Sequence, residues 1–155
     1  MAKAAVGKKI PAFSLDSTAG KLSNKDLVGQ KTLLYFYPRD NTPGCTIEGR
    51  EFAALYPKFK RAGIVVYGVS RDTLGSHDRF KSKYEFPFEL IADPEEKLCE
   101  AFDVMKDKNM YGKKVRGIER STFLFDADGV LREEWRKVKP EGHAAEMLAA
   151  AKKLG

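Results

Sequence analysis

Short runs of β-branched and aromatic residues alternate along the chain with segments whose apolar residues recur every three or four positions. The first clear run, residues 32–37 (TLLYFY), has the length of a buried strand. It ends at Pro38, because proline has no N–H to donate to a sheet ladder. The following segment, 39–44 (RDNTPG), is rich in turn-forming residues and predicts a loop.

An amphipathic helix is predicted to begin near Cys45 and to stop at Gly63. Its buried face follows the spacing i, i+3, i+4, i+7 and consists of Phe52, Leu55, Tyr56 and Phe59. Residues 64–69 (IVVYGV) then predict the next buried strand. A strand, helix, strand unit of this length is a βαβ crossover, so the two strands should be parallel.

The middle of the chain predicts two more helices and a short strand. Ser76 is placed to cap a helix that carries Phe80 and Tyr84 on one face. Residues 88–91 predict the strand, and Asp93-Pro94 predicts the next helix start, with the proline at the first helical position. The apolar stripe of that helix is Leu98, Ala101, Phe102 and Met105.

The last third predicts an antiparallel hairpin and a final helix. The strands 121–125 and 130–135 flank the turn 126–129 (DADG). Residues 140–154 predict a helix whose buried side is Ala144, Met147, Leu148 and Ala151. Parallel and antiparallel strands interleaved with helices indicate an α/β domain with a mixed sheet, and the 155 residues fit one domain, 1–155.

Composition narrows the functional classes. Hydrophobic residues make up 43% of the chain and charged residues 32%, which is typical of a folded globular protein. The net charge is +6, but acidic residues are interspersed, and the densest basic stretch, 106–116, is interpreted as a solvated loop. No apolar run approaches the ~18 residues that cross a bilayer, and residues 1–9 lack the apolar core of a signal peptide. We therefore expect a cytoplasmic protein that binds neither nucleic acid nor membranes.

Two cysteines are present, Cys45 and Cys99. An oxidised secreted scaffold would carry more, so both are expected to be thiols in a reducing compartment. There is no C-x-x-C pair, and His77 and His143 lie far from either cysteine in the sequence. A structural zinc site is therefore disfavoured.

Cys45 has a defined electrostatic setting. It follows Thr-Pro-Gly and opens a helix that comes after a buried strand. The free N–H groups and the positive end of the helix dipole favour the thiolate, which is the nucleophilic form. The alternative is a buried, unreactive cysteine. The polar first turn and the position outside the apolar helix face favour the reactive thiol.

The residues around Cys45 resemble a known family. Pro38, Thr42 and Cys45 form the P-x-x-x-T-x-x-C pattern of peroxiredoxins, here PRDNTPGC. The resemblance to the bacterioferritin comigratory protein branch, also called PrxQ, runs nearly end to end. It includes FYPRDNTPGCTIEG, SRDTLGSHDRF, IADPEEKLCEAFDV and NMYGKKVRGIERSTFLFD. It implies a thioredoxin-like fold, with a central mixed sheet flanked by helices and extra N-terminal strands.

The resemblance also implies a thiol peroxidase and gives four residues a role. Cys45 would attack hydrogen peroxide or an organic hydroperoxide and become a sulfenic acid. Thr42 would contact the thiolate and the peroxide, Pro38 would shield the pocket from water, and Arg120 would stabilise the thiolate and the developing oxyanion. Without the resemblance, Thr42 and Pro38 are turn residues and Arg120 is a surface arginine. No metal, haem or flavin is implied, because the sulfur carries both electrons.

The sequence departs from the branch at the resolving cysteine, which forms a disulfide with the sulfenic acid. Many members carry it where this chain has Arg50, and others where it has Lys81. Cys99 borders an apolar helix face and is interpreted as a packed thiol. We therefore predict a one-cysteine cycle in which an external thiol, from thioredoxin, glutaredoxin or glutathione, reduces Cys45. The branch further implies a monomer.

Several other residues have two interpretations. Glu48 either lies near the site, beside Arg50 or another arginine, or is an exposed acid favoured by the helix dipole. His77 is interpreted as a capping or surface residue, and Tyr111 and Trp135 as packing residues. For the whole protein, a redox sensor or holdase that uses cysteine oxidation as a signal is the alternative to an enzyme.

Overall fold

The computed structural model describes residues 3–154, apart from the side chain of Met110, so residues 1, 2 and 155 of the predicted domain lie outside it. In chain order its strands are β1 (Ser14–Ser17), β2 (Gly20–Ser23), β3 (Lys31–Phe36), β4 (Ile64–Ser70), β5 (Glu89–Ala92), β6 (Met105–Met110), β7 (Lys113–Ile118), β8 (Ser121–Phe125) and β9 (Leu131–Trp135). Its helices are α1 (Pro43–Arg61), α2 (Leu74–Tyr84), α3 (Lys97–Ala101) and α4 (His143–Lys153), with a 3-10 turn at Asn24–Leu27. Of these described helices, none is both long and apolar enough to span a membrane.

Seven of the strands form one mixed sheet in the order β2-β1-β5-β4-β3-β8-β9, which confirms the predicted α/β class. Strands β3 and β4 pair in parallel across the crossover helix α1, as the spacing predicts. Strands β8 and β9 pair antiparallel and form the predicted hairpin. The N-terminal strands are β1 and β2, and β1 joins the sheet by antiparallel pairing with β5.

The side chains of β3 alternate between two hydrophobic cores, because successive residues of a strand point to opposite faces of a sheet. Leu33 and Tyr35 belong to a core that includes residues of α1, α2 and α4. Leu34 and Phe36 belong to a second core that includes residues of α3 and the N-terminal segment. We call these the α1 core and the α3 core. The sheet separates them.

Helices α1 and α4 pack on the same face of the sheet. Phe52 and Phe59 of the predicted α1 face are fully buried, and the buried side predicted for α4 is confirmed. Helix α4 begins at His143 rather than at residue 140, because Gly142 adopts a left-handed conformation with φ of 78°. Helix α1 begins at Pro43, which needs no N–H acceptor at that position.

Residues 106–116 are not the predicted solvated loop. Strands β6 and β7 pair antiparallel over their whole length and form a two-stranded ribbon apart from the main sheet. The turn residues Tyr111 and Gly112 both have positive φ, 53° and 78°. Tyr111 is 100% exposed, so its predicted packing role is wrong. The two strands could not be predicted from the sequence, because most of their side chains face solvent and their apolar and polar residues do not alternate.

Helix α2 has a different cap from the predicted one. Thr73 is the N-cap residue, and its hydroxyl accepts the N–H of Ser76 at 3.3 Å. Ser76 therefore lies inside the first turn and its hydroxyl is free to bond elsewhere. The neighbouring strand β5 begins one residue later than the prediction.

Helix α3 begins at Lys97 rather than at Pro94. The buried Asp93 carboxylate accepts the N–H groups of Leu98 and Cys99, at 3.2 Å and 2.7 Å. These N–H groups belong to the first turn of the helix, whose donors have no partner within the helix. Asp93 therefore caps a helix that starts four residues after it, and the proline lies in the intervening turn.

Candidate active site

The loop between β3 and α1 is held by a buried polar network. Tyr37 Oη donates to Asp40 Oδ1 at 2.6 Å, and Ser76 Oγ donates to Asp40 Oδ2 at 2.8 Å. His77 Nδ1 lies 2.7 Å from Asp40 Oδ2, and its Nε2 lies 2.9 Å from the Ile91 carbonyl oxygen. These contacts fix the loop to α2 and β5. His77 is fully buried, so the predicted capping or surface role is wrong.

Asp72 extends the same network. Its Oδ2 accepts the N–H of Asp40 at 2.8 Å and the hydroxyl of Ser70 at 2.5 Å. The ligand atoms of Asp40, Asp72 and His77 lie within 4.8 Å of one another, a spacing that a metal ion could use. All three side chains already make hydrogen bonds within the protein. His77 bonds to Asp40 and to the Ile91 carbonyl, and Asp72 bonds to Ser70 and to the N–H of Asp40. The cluster therefore serves to anchor the loop that precedes Cys45.

Helix α1 places Cys45 in its first turn. Thr42 is the N-cap residue, and its carbonyl accepts the N–H of Thr46 at 2.8 Å. The Cys45 side chain is 2% exposed and belongs to the α1 core. It lies at the end of the helix where free N–H groups and the positive end of the dipole are found. Cys45 therefore belongs to the same core as Phe52 and Phe59, so its predicted place outside the apolar face is wrong, whereas its predicted place at the start of the helix is confirmed.

Arg120 reaches Cys45 from the junction of β7 and β8. Its Nη2 lies 3.6 Å from Cys45 Sγ, and its Nη1 donates to Glu48 Oε1 at 2.7 Å. Gly44 leaves the room for this approach, since a Cβ there would lie 3.1 Å from Arg120 Nη2. Arg120 and Cys45 are 75 residues apart in the sequence, so no spacing argument could bring them together.

Glu48 is fully buried, which rules out the exposed alternative, and its partner is Arg120 rather than Arg50. Burial raises the pKa of Glu48 to about 7, and the adjacent guanidinium offsets only part of this effect. Burial acts to lower the pKa of Arg120, but the charges of Glu48 and Cys45 outweigh it and raise that pKa. Glu48 follows Cys45 by three residues on one helix, so this spacing was the signal for its place in the site.

Two buried residues that the sequence analysis did not assign to the site lie within electrostatic range of it. Tyr35 stacks on Phe52 with ring centroids 4.5 Å apart, and burial raises the pKa of its hydroxyl, which has no hydrogen-bond partner among residues 3–154. His143 is buried, and its Nε2 lies 2.7 Å from Thr122 Oγ1. Burial and the nearby Arg120 lower the pKa of His143 to about 4, so the ring is neutral at pH 7.

Lys108 approaches the site from the ribbon. Its Nζ donates to the Ile118 carbonyl at the base of β7. Partial burial and the Arg120 guanidinium lower the pKa of Lys108, and the charge of Cys45 acts in the opposite direction. A second basic side chain therefore lies within electrostatic range of the Cys45 sulfur.

Pro38 and Thr42 flank the loop without a direct bond to the sulfur. Pro38 borders a polar surface cavity of about 310 Å³ that is also lined by Arg71 and Glu96. In the described part of the chain, the Thr42 hydroxyl donates to the Arg39 carbonyl at 2.8 Å and not to Cys45. The roles implied for these two residues stay predictions.

Comparisons with known proteins agree with this geometry. The model of the AhpC/TSA family matches residues 6–134. Peroxiredoxin Bcp of Xanthomonas campestris is 56% identical over 124 residues, which are 80% of this chain and 78% of that protein. The chain belongs to the peroxiredoxin family, in its Bcp/PrxQ branch. The predicted peroxidase class is thereby confirmed.

Solved structures of peroxiredoxins also confirm the thioredoxin-like fold. A cysteine-to-serine mutant of PrxQ from Xylella fastidiosa superposes with a TM-score of 0.90 at 42% identity, over 98% of both chains. A structure of the bacterioferritin comigratory protein of Xanthomonas campestris, studied for its alkyl peroxide reduction activity, has a TM-score of 0.85 at 50% identity, over 90% of both chains.

At the two positions where the resemblance implies a resolving cysteine, this peroxiredoxin has side chains with other contacts. The Lys81 ammonium donates to the Phe86 carbonyl at 2.7 Å and pairs with Glu89 at 3.0 Å. The Arg50 guanidinium carbon lies 5.9 Å from the ring centroid of Tyr84. The first contacts join α2 to the segment that leads into β5, and the second joins α1 to α2.

Cys99 lies in the other core of this peroxiredoxin. It is 0% exposed and belongs to the α3 core, so the predicted packed thiol is confirmed. Burial and the adjacent Asp93 carboxylate raise the pKa of the Cys99 thiol far above its usual range. Cys99 therefore carries negligible thiolate at neutral pH.

Proposed function

We propose that this peroxiredoxin reduces hydrogen peroxide and organic hydroperoxides at Cys45 and is restored by an external thiol. The observation that carries the proposal is the position of Arg120 Nη2, 3.6 Å from the Cys45 sulfur at the start of a helix. The alkyl peroxide reduction activity of the Xanthomonas campestris relative supports organic hydroperoxides as substrates.

In the first half of the cycle, the Cys45 thiolate attacks one peroxide oxygen. The S–O bond forms as the O–O bond breaks, the sulfur is oxidised by two electrons to a sulfenic acid, and the departing oxygen takes a proton from water to leave as water or an alcohol. Arg120 stabilises the charge on that departing oxygen and stays protonated throughout. Thr42 orients the peroxide after its hydroxyl turns from the Arg39 carbonyl, and Pro38 limits the access of water.

In the second half, a thiol from outside the protein attacks the sulfenic sulfur. A mixed disulfide forms with loss of water, and a second thiol releases Cys45 as a thiol. The position of Cys99 supports an external donor, because Cys45 and Cys99 belong to cores on opposite faces of the sheet. A disulfide needs Cα atoms within about 7 Å of each other, and here the sheet lies between the two cores. Thioredoxin, glutaredoxin and glutathione each offer the required thiol.

Intact-mass spectrometry after one equivalent of hydrogen peroxide, with dimedone present to trap sulfenic acid, tests the proposal. We expect one dimedone adduct on Cys45 in the parent protein and in the Cys99→Ser variant, and none in Cys45→Ser. A loss of two hydrogens without an adduct would overturn the one-cysteine cycle. No reaction at either cysteine would overturn the peroxidatic role of Cys45.

Turnover distinguishes the enzyme from a redox sensor. With dithiothreitol as the donor and cumene hydroperoxide as the substrate, the parent should consume many equivalents of peroxide, and Cys45→Ser none. Oxidation that stops after one slow equivalent would favour the sensor.

A further inference from the structure

The ribbon formed by β6 and β7, residues 105–118, is strongly basic. It carries a single acid, Asp107, and five basic residues: Lys106, Lys108, Lys113, Lys114 and Arg116. In the described part of the chain it pairs with no strand of the main sheet. Neither of its long edges is therefore used for pairing with that sheet.

One face of this ribbon leads directly to the active site. Residues opposite each other in an antiparallel pair share a face, so Lys106 and Lys108 lie on the face of Gly117 and Val115. The Lys108 side chain passes over Gly117 to the Ile118 carbonyl, two residues before Arg120. The ribbon thus extends the positive surroundings of Cys45 outward along a solvent-exposed surface.

The tip of the ribbon presents an aromatic side chain that contributes nothing to packing. Tyr111 is 100% exposed and has φ of 53°, a left-handed conformation that asparagine or glycine adopts more readily. Neither core gains from this tyrosine, so its strained position is unexplained within the chain. Tyrosine is enriched in protein interfaces, where it anchors a partner at low entropic cost.

We propose that this basic ribbon is the docking arm for an acidic dithiol protein that reduces oxidised Cys45. The inference rests on the external-thiol cycle proposed above. Lys106 is paired with Asp103, and Arg116 with Glu96 and Glu100. Lys113 and Lys114, at the outer end, have no acidic partner among residues 3–154 and are available to a partner.

The chemistry of the cycle favours a protein over a nucleic acid. Two electrons and two thiols must reach the Cys45 sulfenic acid, and a nucleic acid supplies neither. Lys108 of the ribbon extends towards the site, so a partner bound to the ribbon would lie next to Cys45. Lys113 lies on the face of Lys108, and Lys114 lies on the opposite face, because successive residues of a strand alternate. A reductant seated on the tip at Tyr111 would contact both lysines and approach the sulfur along the face of Lys108.

The test compares two electron donors in steady-state peroxidase assays: thioredoxin of negative net charge, and dithiothreitol, which needs no docking. In Lys113→Glu/Lys114→Glu we expect kcat/KM for thioredoxin to fall at least tenfold, with the dithiothreitol rate within twofold of the parent.

Tyr111→Asn should lower kcat/KM for thioredoxin severalfold while keeping the turn, because asparagine tolerates its conformation. The control Lys8→Glu/Lys9→Glu makes the same change of charge on exposed residues outside the ribbon and should behave as the parent.

The remaining outcomes separate this inference from the proposed function. Unchanged thioredoxin kinetics in both ribbon variants, or no turnover of the parent with thioredoxin while dithiothreitol works, would overturn the docking arm alone. Equal losses with both donors would place the effect at the site and also overturn it. A parent inactive with dithiothreitol would overturn the proposed function, and the docking arm with it. Salt-sensitive binding of a labelled DNA duplex that is lost in Lys113→Glu/Lys114→Glu, with thioredoxin kinetics intact, would assign the ribbon to nucleic acid instead.

Discussion

Arg120 joins two buried acids of different kinds, the Cys45 thiol and the Glu48 carboxyl. Its planar fork directs one nitrogen to each, which a lysine could not do. The second carboxyl oxygen of Glu48 has no hydrogen-bond partner in the described chain, so the contact with Arg120 compensates only part of the free-energy cost of burying the carboxyl group. Sequence reasoning alone gave Arg120 no place beside Cys45, because the contact depends on the way β7 and β8 meet the helix. The family resemblance supplied it.

Glu48 and His143 should act on stability in opposite directions as pH changes. Between its ordinary 4.5 and about 7, folded Glu48 holds a proton that the unfolded chain releases, so the free energy of unfolding falls as pH rises. Between about 4 and the ordinary 6.5, folded His143 lacks a proton that the unfolded chain holds, so the free energy of unfolding rises with pH. In the parent the two slopes largely cancel from pH 4.5 to 6.5.

Single substitutions should expose each slope in urea denaturation between pH 4 and 8. Glu48→Gln should gain stability as pH rises to 6.5, and His143→Gln should lose stability as pH rises to 7, each by on the order of 3 kcal/mol. Glu133→Gln changes an exposed strand residue and should follow the parent curve. Parallel curves for all four proteins would contradict the assigned protonation states.

At the scale of elements, helix α1 must approach the 86–88 segment closely to present Cys45. Gly49 lies at the contact, and a Cβ there would come 2.6 Å from Phe86 Cζ. The elements themselves were predictable where one face is buried: the stripes of α1 and α4 and the hairpin β8–β9 follow the expected periods. The β6–β7 ribbon could not be predicted. Most of its side chains face solvent, so apolar and polar residues do not alternate along its strands, and tyrosine is an unusual residue at its turn.

Gly49→Ala should therefore destabilise the protein although alanine favours helices. We expect a loss of about 1–3 kcal/mol in the free energy of unfolding from overpacking against Phe86, measured by urea denaturation. Gly75→Ala in α2 is the matched control, since its Cβ would meet only the end of Arg79 at 3.5 Å. That variant should gain up to about 1 kcal/mol from helix propensity. Equal effects of the two substitutions would show that α1 has room to move.

At the scale of the whole molecule, the sheet divides the protein into two cores with one cysteine in each. The alternation along β3 could be predicted from the sequence, but the assignment of Cys45 and Cys99 to different faces could not. It depends on where α1 and α3 dock, which no local pattern encodes. His77 was missed for the same reason, since its burial is set by Asp40 in the loop and by β5.

The two thiols should differ sharply in reactivity with Ellman's reagent. Both thiols are buried, so the difference rests on their electrostatic surroundings. Cys99→Ser, which retains Cys45, should react in native buffer, because Arg120 and the start of α1 favour a thiolate there. Cys45→Ser, which retains Cys99, should react only at urea concentrations that unfold the chain, because burial and Asp93 raise the pKa of that thiol. A native-state rate for Cys99 comparable with that of Cys45 would mean that the α3 core opens without global unfolding.

The placement of the two cysteines in different cores also affects how long Cys45 stays oxidised. Under the one-cysteine cycle proposed above, the lifetime of oxidised Cys45 depends on how often a reductant arrives from solution. When peroxide is abundant and reductant scarce, a second oxidation to the sulfinic acid, which ordinary thiols do not reverse, overtakes repair. The fraction of chains inactivated in this way should therefore follow the ratio of peroxide to reductant in the surroundings, and the protein would retain a chemical record of past oxidative stress.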